Sequence, residues 1–296
     1  MTLKHSINTA YKGLEANRSR SLLTILGIVI GVAAIILVMS LGQGAQNLIL
    51  GQVQGMGART IIVGAGREPK GPSDAGQMFS DSLKQRDLNL LQRRENTPDI
   101  SNIMPLVFGA ATAFYESETY RLTIFGGSPL MTQIFDVPLQ KGNFFTDEDV
   151  RAREKYVVIG AKIKKELFGA NEAVGQSLKM KGYNFRIIGV LTERGQDFFN
   201  FDEAAIVPYT TAQDYLLGIK YFSRFIAQAS SEVVINDAAN ELKSVLRDSH
   251  NITDPAKDDF FVTTQVDLAS RLSSITTILT LFLAAVAAIS LVVGGI

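Results

Sequence analysis

The side chains that most often carry out catalysis are scarce in this sequence. There are two histidines, His5 and His250, and no cysteine among 296 residues. A Ser–His–Asp or Cys–His arrangement needs a histidine within hydrogen-bonding distance of the nucleophile. A predicted membrane helix separates the two histidines, so they cannot share a site. We expect His250 to be solvated at the end of a surface helix, without a catalytic role.

One dense group of carboxylates could in principle bind a cation. It consists of Asp147, Glu148 and Asp149 in the stretch TDEDV. The ligands of a metal ion must converge on one point, whereas three consecutive side chains point in different directions. Acidic residues also favour the first turn of a helix, where they interact with its dipole. We therefore expect this group to begin a helix or to line a solvated loop.

The sequence lacks the glycine-rich loop that binds nucleotide phosphates. That loop has the pattern Gly-x-x-x-x-Gly-Lys-Ser/Thr, and the stretch GAGREPKGP at 64–72 has different spacing. We expect no catalytic residues, no metal site and no cofactor site in this chain, and hence no enzymatic activity of its own. The 29 basic and 29 acidic residues balance, so no net charge attracts nucleic acid.

These polar groups lie between two long apolar runs. The first, Leu22 to Leu41, reads LLTILGIVIGVAAIILVMSL and carries no charge. At about 1.5 Å per residue, a helix of this length spans roughly 30 Å, the thickness of a bilayer core. We predict a transmembrane helix over residues 21–41. A cleaved signal peptide is the alternative, although its apolar stretch is shorter, at about 7–15 residues.

Charged residues around the first run predict its orientation. Four basic residues precede it, whereas Arg59 is the single basic residue among the twenty that follow it. Basic flanks are retained in the cytoplasm. The N-terminus is therefore predicted inside a cell membrane that the chain crosses more than once, and residues 42–274 are predicted outside.

Residues 1–20 predict an amphipathic helix on the cytoplasmic membrane surface. Leu3, Ile7, Tyr11 and Leu14 fall on one helical face, as in helices that lie in the bilayer interface. A disordered tail is the alternative. The residues expected to contact lipid or a cytoplasmic partner are Lys4, Tyr11, Lys12, Arg18 and Arg20.

The second apolar run predicts another transmembrane helix over residues 275–296. In lipid, helices associate where small residues let their backbones approach. Gly27 and Gly31 are spaced four apart in the first run, and Ala284 and Ala288 are spaced likewise in the second. We predict that these residues form helix-packing faces; tolerated small residues that face lipid are the alternative.

Residues 42–274 predict one large α+β domain. The first helix is expected to continue past the membrane as a stalk. Phe198, Phe199 and Phe201 are expected to pack in the core, with an exposed contact patch as the alternative. The other expected elements are strands at 59–66, 100–107, 110–117, 120–125, 155–160, 225–229 and 259–265, helices at 80–96, 128–137, 161–169 and 233–251, and a hairpin turning at Lys181-Gly182.

Several stretches resemble a known family. SRSLLTILGIVIGVAAIILVMSLGQGAQ resembles the first membrane helix of ABC-transporter permeases of the macrolide-exporter (MacB) type. KGNFFTDEDV, VVIGAKIKKELFGANEAVGQSLKMKGYNFRIIGVL and AAIVPYTTAQDYLLG resemble motifs of that family's periplasmic core domain. FFVTTQVDLASRLSSITTILTLFLAAVAAISLVVGGI is similar to its approach to the second of the FtsX-like permease helices. The stretches occur in the family's order along nearly the whole chain.

The resemblance implies a permease subunit that couples ATP hydrolysis in the cytoplasm to movement of its outer domain. It implies as partners an ABC ATPase subunit, which would bind the ATP, and a second permease copy or homologue in a dimer. A periplasmic adaptor or another envelope protein is a further expected partner. Drugs, peptides or lipoproteins would be exported. A related branch instead activates cell-wall hydrolases without transport, which is the alternative function.

The resemblance also implies two lobes in the outer domain, one near the membrane and one inserted. The lobe near the membrane would combine about 57–118 with 210–265, and the inserted lobe would be about 119–209. No ATPase precedes the first helix, so we expect it on a separate chain. The family's third and fourth helices have no counterpart here, and we expect the second span to be truncated.

Overall fold

A computed structural model describes residues 18–54, 58–67, 80–195 and 199–295. The chain divides into two units, Met1–Gly51 with Val266–Ile296, and Gln52–Gln265. The predicted amphipathic helix at 1–20 therefore lies almost entirely outside the described residues.

Two long helices dominate the first unit. Helix α1 (Arg18–Gln54) has 37 residues and α8 (Gln265–Gly295) has 31. Each contains a stretch long and apolar enough to cross a membrane, Ile25–Gly44 and Gln265–Val286. Large apolar side chains such as Ile30 and Phe282 are exposed along them, as expected for surfaces that meet lipid. Helix α1 continues past its apolar run, as the predicted stalk requires.

The second unit is built on an extended sheet. Its strands are β1 (Thr60–Ala65), β2 (Leu83–Lys84), β3 (Ile100–Tyr115), β4 (Glu118–Gly127), β5 (Leu139–Gly142), β6 (Tyr156–Ile159), β7 (Ser177–Met180), β8 (Tyr183–Leu191), β9 (Ala204–Pro208), β10 (Tyr221–Phe222), β11 (Arg224–Ala229) and β12 (Phe260–Thr264). Ten strands form one sheet in the order β12-β1-β11-β3-β4-β9-β6-β8-β5, with β7 pairing β3 and β8, while β2 and β10 pair separately.

Helices lie between these strands along the chain. They are α2 (Gln85–Leu91), α3 (Met131–Ile134), α4 (Asp147–Ala152), α5 (Ala161–Phe168), α6 (Tyr209–Thr211), which continues as a π-helical turn (Ala212–Leu217), and α7 (Ile235–His250). Thr146 caps α4, since its hydroxyl accepts a hydrogen bond from the Asp149 amide. The acidic group at 147–149 therefore begins a helix, which was one of its two expected roles.

Strand β3 corrects the prediction of two separate strands at 100–107 and 110–117. It runs unbroken through Gly109. Its first part, to Leu106, pairs with β11, and its second part, from Val107, pairs with β4. The change of partner, rather than a turn, explains why the local pattern changes at this point. The division into two lobes stays a prediction.

Six strands close into a ring. Each of β3, β4, β9, β6, β8 and β7 pairs with the next, and β7 returns to β3 through Ala113 and Met180. Alternate residues of these strands lie in one buried cluster, as period-two side chains in a closed sheet must. They include Ala111, Leu122, Ile124, Val157, Ile159, Leu178, Phe185, Ile187, Ala205 and Val207.

The predicted hairpin and several predicted helices are confirmed. The β7–β8 hairpin turns at Lys181-Gly182, both with positive φ, as a two-residue hairpin of this kind needs. The helix α5 ends at Gly169. Helix α7 buries Ala238, Leu242 and Leu246 at helical spacing. The predicted helix at 80–96 is shorter than expected, because Leu83 lies in β2 and the helix begins at Gln85.

Candidate functional site

The predicted helix-packing residues do not contact each other within this chain. Among the described residues, a Cβ atom added at Gly27 or Gly31 would have no atom within 4 Å, and Ala284 and Ala288 are exposed on α8. The helices approach instead at Gly42, where a Cβ would lie 3.3 Å from Thr276 Cγ2. Packing of the helix faces around Gly27 and Ala284 against other membrane helices stays a prediction.

The predicted cytoplasmic contact residues are mostly outside the described part. Lys4, Tyr11 and Lys12 lie there, whereas α1 begins at Arg18, which is exposed, and contains Arg20. Their role stays a prediction.

The two long helices are connected through the chain to neighbouring strands. Strand β1 follows α1 after residues 55–59, and α8 begins directly after β12. The two strands are antiparallel partners, with Ile61 opposite Thr264 and Val63 opposite Val262. Ile61 and Val63 are fully buried. Backbone hydrogen bonds and core packing therefore join the strand that follows α1 to the strand that precedes α8.

A histidine and two carboxylates meet beside this strand pair. Asp259 directly precedes β12, Asp87 lies in the first turn of α2, and His250 ends α7. The imidazole Nδ1 lies 2.6 Å from Asp259 Oδ1, and Nε2 lies 3.3 Å from Asp87 Oδ2. Ser249 donates its hydroxyl proton to Asp87 Oδ1 at 2.6 Å, and the Lys84 amide donates to Oδ2 at 2.8 Å.

These contacts correct the prediction that His250 is solvated. Its side chain is 5% exposed, and that of Asp87 is fully buried. The Asp87 carboxylate raises the pKa of His250, burial opposes this, and Asp259 raises it further. Burial by itself would raise the pKa of Asp87, but the contact with the His250 ring and hydrogen bonds from Ser249 and the Lys84 amide lower it from 3.8 to about 2. The group is therefore a buried ion pair extended to a second carboxylate.

No local sequence pattern predicts this cluster, because its members are far apart along the chain. Asp87 and Ser249 are separated by 162 positions. The adjacent carboxylate, Asp258, forms a bidentate pair with Arg247 at 2.7–3.1 Å. The two nitrogens of His250 face carboxylates from different elements, so these three side chains do not converge on one point as metal ligands do.

Phenylalanines pack where core packing was expected. Phe201 is 2% exposed, and its ring lies 5.6 Å from that of Phe125 and 5.5 Å from that of Phe135. Phe199 joins the same group at 4.8 Å from Phe135. Core packing is thus confirmed for Phe199 and Phe201, while Phe198 lies outside the described residues.

Solved structures share this fold. The periplasmic region of MacB from Actinobacillus actinomycetemcomitans superposes with a TM-score of 0.64 at 20% identity, covering 75% of this chain and 95% of that one. The extracellular domain of the noncanonic ABC-type transporter YknZ from Gram-positive bacteria gives 0.56 at 21% identity, covering 69% and 100%.

The fold and the two apolar helices define a membrane protein that carries an α+β domain outside the cytoplasm. Residues 21–245 match the MacB-like periplasmic core domain. The chain belongs to this family, and the resemblance read from its motifs is confirmed.

Curated relatives align along the whole chain. The macrolide export ATP-binding/permease protein MacB of Wolinella succinogenes is 30% identical over 298 residues, which are 100% of this chain and 45% of that protein. The pyoverdine export ATP-binding/permease protein PvdT of Pseudomonas aeruginosa is 26% identical over 99% of this chain and 43% of that protein. This chain therefore spans less than half the length of the relatives it matches.

Proposed function

We propose that this chain is a permease component of an ABC exporter. ATP bound and hydrolysed by a separate ATPase subunit would move α1 and α8, and these would move the extracytoplasmic domain. The observation that carries the proposal is the pairing of β1 with β12, because the strands next to both helices form one hydrogen-bonded unit. The relatives named for macrolide and pyoverdine export support the export direction. The chain itself would have no catalytic role.

The partners in this proposal are the ATPase subunit, a second permease copy or homologue, and an adaptor or another envelope protein. The N-terminus would lie in the cytoplasm, with both helices crossing the cell membrane. The two-lobed division, with the inserted lobe at about 119–209, would let one lobe follow the helices while the other meets partners.

The direct test measures ATP hydrolysis. The full-length protein would be purified with its ATPase in nanodiscs and assayed with a macrolide, pyoverdine and a peptide. We expect at least one of these to stimulate hydrolysis. If none does, and the complex instead activates a cell-wall hydrolase, the export function is wrong and the chain works by signalling.

The proposed orientation gives a separate prediction. Because the chain has no cysteine, single cysteines can be placed without a background. We expect a membrane-impermeant maleimide to label Glu148→Cys in intact cells, and to label Lys4→Cys only after the membrane is opened. Equal labelling of both variants in intact cells would contradict the proposed topology.

The packing faces give another prediction. We expect Gly27→Leu combined with Gly31→Leu to weaken co-purification of two differently tagged copies about 10-fold, equivalent to about 1.4 kcal/mol, because leucine side chains prevent the close approach of two helix backbones. The fold of the single chain should not change, because neither glycine has an atom within 4 Å of an added Cβ. Ile28→Leu, on the same helix, is the matched control. Unchanged co-purification of the double variant would show that these glycines face lipid.

A further inference from the structure

We propose that His250 is a pH-sensitive latch that holds the start of β12 against α2 and α7 while its imidazole is protonated. This latch lies within the extracytoplasmic domain and does not depend on export. The two ring nitrogens of His250 face carboxylates on two different elements, Asp87 on α2 and Asp259 before β12.

The chemistry of the ring makes this arrangement dependent on protonation. A protonated imidazole has two N–H donors, whereas a neutral one has a single donor and a lone pair. Only the protonated ring can attract both carboxylates. After deprotonation, one carboxylate must face a nitrogen lone pair, which repels it.

The two carboxylates differ in their access to water. Asp87 is fully buried and is also held by Ser249 and the Lys84 amide. The side chain of Asp259 is 48% exposed. In the structure Nδ1 contacts Asp259 Oδ1 at 2.6 Å, while the buried Nε2 lies 3.3 Å from Asp87 without a hydrogen bond among the described residues. Because the buried carboxylate cannot turn to water, we expect the neutral ring to keep its proton on Nε2, towards Asp87, and Asp259 to turn into solvent. The latch thus opens on the side of β12.

Charged and aromatic groups surround the ring from each of the elements packed against it. On α2, Arg86 lies 3.4 Å from Asp87 Oδ1 and is mostly exposed. On α7 and before β12, Arg247 and Asp258 neutralise each other. From β12, the Phe260 ring meets the imidazole edge-on at 5.8 Å between centroids. Among these neighbours, the two carboxylates are the groups whose contact with the ring depends on its charge.

The direction of the pH effect follows from these contacts. Both carboxylates raise the pKa of His250 above its ordinary 6.5. A raised pKa contributes stability that is fully present below pH 6.5 and is lost as pH rises through the higher value of the folded state. The latch is closed at mildly acidic pH and opens at alkaline pH.

Opening should loosen the start of β12 without unfolding the sheet. The backbone of Asp259 still accepts a hydrogen bond from the Gly66 amide at 2.8 Å, and β12 still pairs with β1. Because α8 follows β12 directly in the chain, the latch acts on the segment that joins the domain to this helix.

The pKa can be measured directly, because the chain has only two histidines. In the full chain with His5→Gln in detergent, NMR of ¹³C-labelled histidine reports His250 alone. We expect its pKa above 6.5, and we expect Asp259→Asn to lower it by about 1. Asp258→Asn is the matched control and should leave it unchanged. A pKa at or below 6.5, or equal effects of the two variants, would overturn the latch.

Hydrogen exchange tests the opening itself. After correction for intrinsic rates, peptides covering 260–264 should exchange several-fold faster at pH 8.5 than at pH 5.5, while those covering β6 should not change. Asp259→Asn should exchange rapidly at both pH values, and His250→Gln should lose the difference. Equal protection of β12 at both pH values in the unmodified chain would contradict the latch, even if His250→Gln does not fold.

Discussion

Gly142→Ala is expected to destabilise the extracytoplasmic domain by about 3–5 kcal/mol, the range of severe single substitutions. Gly142 ends β5 with φ of +85°, which an alanine rarely adopts. An added Cβ would also lie 2.1 Å from the backbone oxygen of Ile188 and 2.8 Å from Gly189 Cα. Backbone atoms of β8 cannot move aside without breaking the β5–β8 pairing.

Gly182→Ala is the matched control for this prediction. Gly182 has φ of +88°, but an added Cβ there would meet no atom within 4 Å. Only the conformational penalty of about 1–2 kcal/mol should remain. Urea unfolding of the full chain in detergent, followed by near-UV circular dichroism of the tyrosines, measures both. If the two variants lose equal stability, the expected clash between the new Cβ at position 142 and the β8 backbone is contradicted.

Asp87→Asn is expected to cost about 3–5 kcal/mol of unfolding free energy, as when one partner of a buried ion pair is removed. An asparagine has the same shape but one acceptor oxygen and no charge. It cannot receive Ser249, the Lys84 amide and His250 together as the carboxylate does. The protonated His250 would then keep only the half-exposed Asp259.

The control for Asp87→Asn is Asp258→Asn, which breaks the more exposed pair with Arg247. That change should cost about 1 kcal/mol or less. The pH dependence of the unfolding free energy distinguishes Asp87→Asn from Asp258→Asn further. The contribution of Asp87 is present above pH 3.8 and is lost as pH falls towards about 2, so Asp87→Asn should flatten the stability curve in this range. An unchanged curve would mean that the carboxylate is not the ionised partner.

The β1–β12 strand pair and the His250 latch both involve the segment around the start of β12. The β1–β12 pair joins the segments that follow α1 and precede α8. Asp259, the latch residue exposed to solvent, directly precedes β12. If helix motion reaches the domain through these strands, the latch would make that transmission stiffer at acidic pH than at alkaline pH.

Local sequence determined much of this protein. Uninterrupted apolar runs predicted the two long helices, since length and hydrophobicity alone decide whether a helix can cross a bilayer. The dipeptide Lys181-Gly182 predicted a hairpin, and the helical spacing of Ala238 and Leu242 predicted a helix. Each of these signals acts between residues a few positions apart, so it can be read without knowing the rest of the fold.

Tertiary structure alone decided which distant segments meet. The local pattern of β3 predicts two strands, because it changes where the partner changes from β11 to β4, strands that lie far apart in the chain. The position of His250 at the end of a helix predicts a solvated side chain, whereas the fold packs Asp87 and Asp259 against it. Pairing and burial depend on neighbours brought together by folding, and no local periodicity records those neighbours.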